Sequence, residues 1–124
     1  MAFQKSPPWL KELFADLIAD FPVEPRQMFG FPCCFANTHL CAGLFEDQLM
    51  MRLSPTDRGE MLSLPGASIF DPMGGRPMKE YAVVPPEQLE DSDFLRGWLE
   101  RSIAYVMTLP PKPEKTASKK RAKR

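Results

Sequence analysis

The chain has 124 residues, 44% hydrophobic and 26% charged, an ordinary balance for one globular domain and too little chain for two cores. No apolar run reaches bilayer length and the N-terminus, MAFQKSPPW, has no signal-peptide core, so a cytoplasmic protein with no membrane partner is expected. Sixteen Lys/Arg cancel sixteen Asp/Glu, but unevenly: Lys112 to Arg124 carries seven cations against one Glu, a net of +6, while residues 1–111 carry nine cations against fifteen carboxylates, a net of −6.

The first element announces itself by Ser6-Pro7-Pro8, an oxygen-bearing N-cap followed by proline where a missing N–H does no harm. Leu10, Leu13, Phe14, Leu17, Ile18 and Phe21 then recur at helical spacing, with Lys11, Glu12, Asp16 and Asp20 opposite. A helix is expected from Pro8 to about Asp20, stopped by Pro22. From Gln27 to Ala36 the residues Phe29, Phe31, Cys33 and Phe35 alternate onto one face of a strand, which Pro32 should place at an edge, bulge or break. Asn37, Thr38 and His39 form a turn, Leu40 to Phe45 the next strand, and Gln48 to Leu53 returns after a turn at Glu46-Asp47.

Ser54-Pro55 repeats the opening device for a short helix ending at Pro65-Gly66, with Asp57 favourably placed in its first turn. Ala67 to Phe70 is a short strand, and Asp71 to Gly75 turns the chain into a last strand from Met78 to Val84. That strand puts Lys79, Tyr81 and Val83 on one side and Met78, Glu80, Ala82 and Val84 on the other, so pattern alone does not choose the buried face. Glu87 to Glu90 forms a helical turn, and Ser92 caps a long helix with Leu95, Trp98, Leu99, Ser102, Ile103 and Val106 on its apolar side, ending near Leu109. The expected fold is α+β in two layers, an antiparallel sheet of about five strands with helices on one face, in the order α-β-β-β-α-β-β-α. It occupies residues 1–111, and the Lys-, Pro- and Ala-rich segment 112–124 is expected to be disordered.

Few residues point to chemistry. Cys33 and Cys34, being adjacent, would make a strained disulfide, and with Cys41 the count is odd, so reduced thiols are expected. Cys33, Cys34, His39 and Cys41 lack zinc-ligand spacing and read as small buried hydrophobes plus an exposed turn histidine. Arg76, held between Gly75 and Pro77, is the one candidate ligand or partner contact, a guanidinium at a rigid turn that suits a phosphate or carboxylate. The tail residues Lys112, Lys115, Lys119, Lys120, Arg121, Lys123 and Arg124 are candidates for weak nucleic-acid contact by counterion release, with no interleaved aromatic to read sequence. The methionines at 28, 50, 51, 61, 73, 78 and 107 read as core filling. No catalytic pair, metal or cofactor is expected.

Several segments in order, RQMFG (Arg26 to Gly30), CAGLFEDQLMMRLS (Cys41 to Ser54), GRPMKEYAVVP (Gly75 to Pro85) and WLERSIAYVMTLPPKP (Trp98 to Pro113), resemble the N-terminal domain of the TfoX (Sxy) family. The resemblance implies the α+β order above and a relation to bacterial competence, in which a transcriptional co-regulator acts with the cyclic-AMP receptor protein. Longer members carry a second, helical domain linked to DNA binding, so a short single-domain member is expected here. The leading expectation is therefore a non-enzymatic regulatory or interaction domain with an unidentified protein partner, working through a sheet edge or an exposed apolar patch. The alternatives are a small-molecule or enzymatic pocket near Arg76 and the Cys/His strands, and nonspecific nucleic-acid binding through the tail.

Overall fold

Two-residue turns build most of the sheet. In the computed structural model, which describes residues 4–72, 74–75 and 77–111, β1 (Glu24–Met28) and β2 (Phe31–Ala36) meet at Phe29-Gly30. β2 and β3 (His39–Phe45) meet at Asn37-Thr38, and β3 and β4 (Gln48–Arg52) at Glu46-Asp47. Phe29 (φ 58°) with Gly30 (83°), and Asn37 (52°) with Thr38 (67°), are left-handed at both central positions. That is the backbone of a type I′ turn, whose twist matches the strands it joins. Asn and Gly accept this region readily, whereas a bulky Phe or a β-branched Thr does so only when the surroundings dictate it.

The expected single strand from Gln27 to Ala36 is thus two strands, and the sheet has six rather than about five, in the order β1-β2-β3-β4-β6-β5, antiparallel throughout. The break falls at Phe29-Gly30, not at Pro32. A two-residue turn makes Met28 and Phe31 the hydrogen-bonded closing pair, so Gln27 and Pro32 form the next, non-bonded pair. Pro32 therefore costs β1 no bond, and on its other side the ladder with β3 starts only at Cys33 and Gly43. The bulge allowed for in this region lies two residues on: Cys34 pairs with Ala42 and Phe35 with Leu40, which leaves Cys41 as the extra residue.

The helices follow the expected order, with corrected ends. α1 spans Pro8–Ile18 and is capped by Pro7, not Ser6. Pro7 already holds an extended conformation and its carbonyl accepts from the Leu10 and Lys11 N–H groups. Ser6 lies one residue too early, and its buried hydroxyl instead donates to the Glu46 carbonyl at 2.6 Å. α2 spans Pro55–Leu62 and Ser54 does cap it, accepting from the Asp57 N–H at 3.2 Å. β5 (Ser68–Phe70) and β6 (Met78–Val83) follow, then a single 3-10 turn at Pro86–Gln88. α3 spans Ser92–Met107, and its cap is Asp91, whose carboxylate accepts from the Phe94 N–H at 3.1 Å. A cap reaches the third residue beyond itself, which from Asp91 is Phe94.

α1 buries Leu10, Phe14, Leu17 and Ile18, and α3 buries Leu95, Trp98, Leu99, Ser102 and Val106. The two helices pack on each other and on β2 and β3, while α2 leans on β6. Every residue of β3 is buried, so the sheet centre is covered on both faces. Phe45 meets Phe31 at 5.1 Å and Phe70 at 5.5 Å between ring centroids. Phe45 on β3 and Phe70 on β5 lie three strand places apart in the sheet order, so their rings meet across β4 and β6. Of the methionines expected in the core, Met50, Met51 and Met61 are fully buried, Met28 and Met78 half-buried, and Met107 is exposed. Met73 lies outside the described residues.

Gly43 lets β3 pack tightly against β2 and β4. A Cβ there would stand 2.8 Å from Cys33 Cβ and 3.1 Å from Met50 Cε. Gly43→Ala should therefore destabilise the domain by about 1–3 kcal/mol through overpacking. A denaturant melt measures it, and an unchanged midpoint would show that the strands are farther apart than described.

Candidate functional site

Two features stand out among the described residues, a polar cluster where α3 ends and an apolar groove where α3 begins. At the first, the β2–β3 turn grips the end of α3. Asn37 Nδ2 donates to the carbonyls of Val106 (2.8 Å) and Leu109 (2.7 Å), and Ser102 Oγ, fully buried, donates to the Cys41 carbonyl at 2.9 Å. His39 is not an exposed turn residue. It opens β3, is 6% exposed, and bridges the Pro110 carbonyl at Nε2 (2.8 Å) and the Arg52 guanidinium at Nδ1 (3.3 Å). A carbonyl can only accept and a guanidinium can only donate, so the proton sits on Nε2.

Arg52 in turn donates from Nε to Glu80 at 2.7 Å, forms an ion pair with the same carboxylate, and lies over the rings of Tyr81 and Tyr105. The Tyr81 hydroxyl donates to the Leu40 carbonyl at 3.1 Å. His39, Arg52, Lys79, Glu80 and Tyr81 line a shallow depression of about 360 Å³ there. Its buried polar groups already serve one another. His39 uses both ring nitrogens and has none left for a nucleophile or a metal.

The thiols sit deeper still. Cys33, Cys34 and Cys41 are free and buried, as expected for small core residues. Because Cys41 is the bulge residue, its sulfur comes within 3.4 Å of Cys34 Sγ. The hydrogen bond to Cys41 and burial push the Cys34 thiol far above its ordinary range, while the same contact lowers Cys41. Burial raises Cys33. Among the described residues no three His, Cys, Asp or Glu side chains converge as a metal set, and no helix is long and apolar enough to cross a membrane. Arg76 and the tail candidates Lys112, Lys115, Lys119, Lys120, Arg121, Lys123 and Arg124 lie outside the described residues.

The groove between α1 and the start of α3 measures about 450 Å³. Leu13, Leu17, Leu89 and Leu95 form its floor, and Trp9, 49% exposed, stands at its wall. Its rim carries Glu12, Asp16 and Glu90 against one cation, Arg96, which is already paired with Asp20 at 3.1 Å and lies over the Phe21 ring. The helical spacing of α1 gave Leu13 and Leu17 to the buried face but not Trp9, which falls off that face. An exposed tryptophan beside an apolar helix stripe was the available signal for this groove.

The TfoX N-terminal domain family model matches residues 12–106, a span that takes in every strand, α2 and most of α1 and α3. No curated protein matches the chain.

Burial pushes the Tyr81 phenol up to about 12 against the opposing pull of Arg52. A phenol raised on folding favours the folded state below its ordinary value of about 10 and loses that contribution as pH climbs from about 10 to 12. Alkaline absorbance of the wild type minus Tyr81→Phe should show a phenolate appearing near pH 12. A step near 10 would mean that the phenol is not buried as described.

Proposed function

The chain belongs to the TfoX N-terminal domain family, and from that premise we propose that it is a non-enzymatic interaction module. It acts through protein contacts in transcriptional regulation, competence included, in the cytoplasm of a bacterial cell, and the α1–α3 groove is its docking surface.

The observation that carries this is the groove itself, an apolar floor with an exposed Trp9 under an acidic rim. The sheet edges serve docking less well. Alternating from the closing pair Met28 and Phe31, Pro25 stands opposite Cys34 in a non-bonded pair, so its missing N–H falls on the open side of β1 and removes a donor from that edge. At the other edge β5 is three residues long.

The groove commits the partner's chemistry. Leucine-lined helix grooves accept the apolar stripe of an amphipathic helix, and Glu12, Asp16 and Glu90 favour Lys or Arg flanking that stripe. The partner is a protein segment of that kind, an apolar helix face with basic shoulders. The polar depression at His39 supports a small-molecule or enzymatic role less, because His39 is engaged by Pro110 and Arg52, Arg52 by Glu80, and Tyr81 by the Leu40 carbonyl.

A photo-crosslinking residue at Trp9, with one at exposed Glu87 as control, tests this in the native cytoplasm. The expected result is a discrete adduct from position 9 only, mapping to an apolar segment with Lys/Arg flanks. Adding Leu13→Asp should weaken its capture at least tenfold, about 1.4 kcal/mol. Equal capture at both positions, or an adduct indifferent to Leu13→Asp, would overturn the reading.

A further inference from the structure

Two of the three thiols meet at the β2–β3 bulge. Residues paired in register share a face of the sheet, so Cys34 lies on the face of its partner Ala42. Strict alternation would send the neighbouring Cys41 to the other face. As the extra residue of the bulge it escapes that alternation, and its Sγ stands 3.4 Å from Cys34 Sγ. Cys33 takes no part in this contact. Alternation turns it away from Cys34, and its Cβ lies against Gly43.

Three observations raise the pair above core filling. First, the sulfurs are close to bonding position. Neighbouring antiparallel strands stand about 4.5–5.5 Å apart at Cα, within the span that a disulfide bridges, and closing to its length of about 2.05 Å is a matter of side-chain rotation. Second, the bulge interrupts the ladder, so this part of the β2–β3 pair opens more readily than a regular stretch. Third, the pair brackets the Asn37-Thr38 turn that holds the end of α3, and the Cys41 carbonyl itself accepts from Ser102 of that helix. A covalent link there closes a ring around the fastening of α3.

Burial selects the oxidant. Cys34 and Cys41 are both 0% exposed, which shuts out a bulky disulfide such as oxidised glutathione. Hydrogen peroxide, little larger than water, needs only a local opening of the bulge.

We propose that Cys34 and Cys41 are a modification site that hydrogen peroxide converts to a reversible disulfide. One thiol sulfur attacks the peroxide: an S–O bond forms, the O–O bond breaks, and the thiol proton leaves with the departing hydroxide as water. The other thiol attacks the sulfenic sulfur so formed. The S–S bond forms, the S–O bond breaks, and the second proton leaves with hydroxide as a second water. The two sulfurs are oxidised by two electrons in all, and the peroxide is reduced to two waters. A dithiol reverses the link by thiol–disulfide exchange. The site stands or falls independently of the α1–α3 groove.

The test exposes the native full chain to hydrogen peroxide and reads its intact mass. The expected product is lighter by about 2 Da, the mass of two hydrogens, and dithiothreitol restores the original. Oxidised glutathione should leave the mass unchanged. Cys33→Ala should keep the loss, whereas Cys34→Ala and Cys41→Ala should each lower its yield at least about tenfold, because the contact that favours the link is gone. Peptide mapping of the wild type locates the link whether or not a variant folds: Cys41 should be joined to Cys34, with Cys33 still open to alkylation after unfolding. A link shared equally by Cys33, a glutathione adduct, oxygen added to single sulfurs without loss of hydrogen, or no reaction at all overturns the proposal.

Discussion

The end of α3 has no glycine to close it. Thr108, Leu109 and Pro110 follow the last helical residue, none of them suited to the left-handed cap that usually satisfies terminal carbonyls. The β2–β3 turn adds side-chain donors there: Asn37 for Val106 and Leu109, His39 for Pro110, with Ser102 anchoring the helix body to the bulge at Cys41. Each such bond contributes about 0.5–1.5 kcal/mol net, and an orphaned buried group costs more than that. The arrangement explains other features in turn. Asn37 and Thr38 are both left-handed in that turn, and the carbonyl that Ser102 bonds belongs to the bulge residue Cys41. Arg52 then fills the space beside His39 and brings Glu80 and Tyr81 into register with it.

With one end of α3 fixed at the sheet, its other end is positioned over α1. There Leu13 and Leu17 of α1, Leu95 of α3 and Leu89 just before α3 line the groove. The chain thus separates its surfaces by chemistry. Polar groups near the helix end hold structure together, and the groove keeps an apolar floor under an acidic rim.

Much of the fold was legible because its signals are local. The Ser54 cap, the apolar stripe of α1 and the turns flanked by alternating hydrophobics each sit within a few residues and give the element order directly. The misses were long-range or a single residue wide. Phe29-Gly30 does not look like a hairpin turn, since a bulky aromatic rarely holds a positive φ, so two strands read as one. Ser6 and Ser92 carry cap chemistry, but Pro7 and Asp91 stand at the positions where the backbone needs it. His39 follows two turn residues and reads as exposed. Its partners Arg52 and Pro110 lie thirteen and seventy-one residues later, beyond any local signal. The groove was half-written in the sequence, where Leu13 and Leu17 appear as core and nothing local shows that the second helix stops short of covering Leu13.

The fastening of α3 by the β2–β3 turn is the claim on which the rest leans, and hydrogen exchange at the helix end tests it most directly. Asn37→Gly keeps the left-handed backbone available and removes only the side-chain amide. The amides of Thr108 and Leu109, which bond to Tyr105 and Val106, should then exchange about tenfold faster, the equivalent of about 1.4 kcal/mol. Amides of β4 and β6 should keep their protection. Unchanged exchange at Thr108 and Leu109 would mean that apolar packing alone holds the helix end, and would contradict the account.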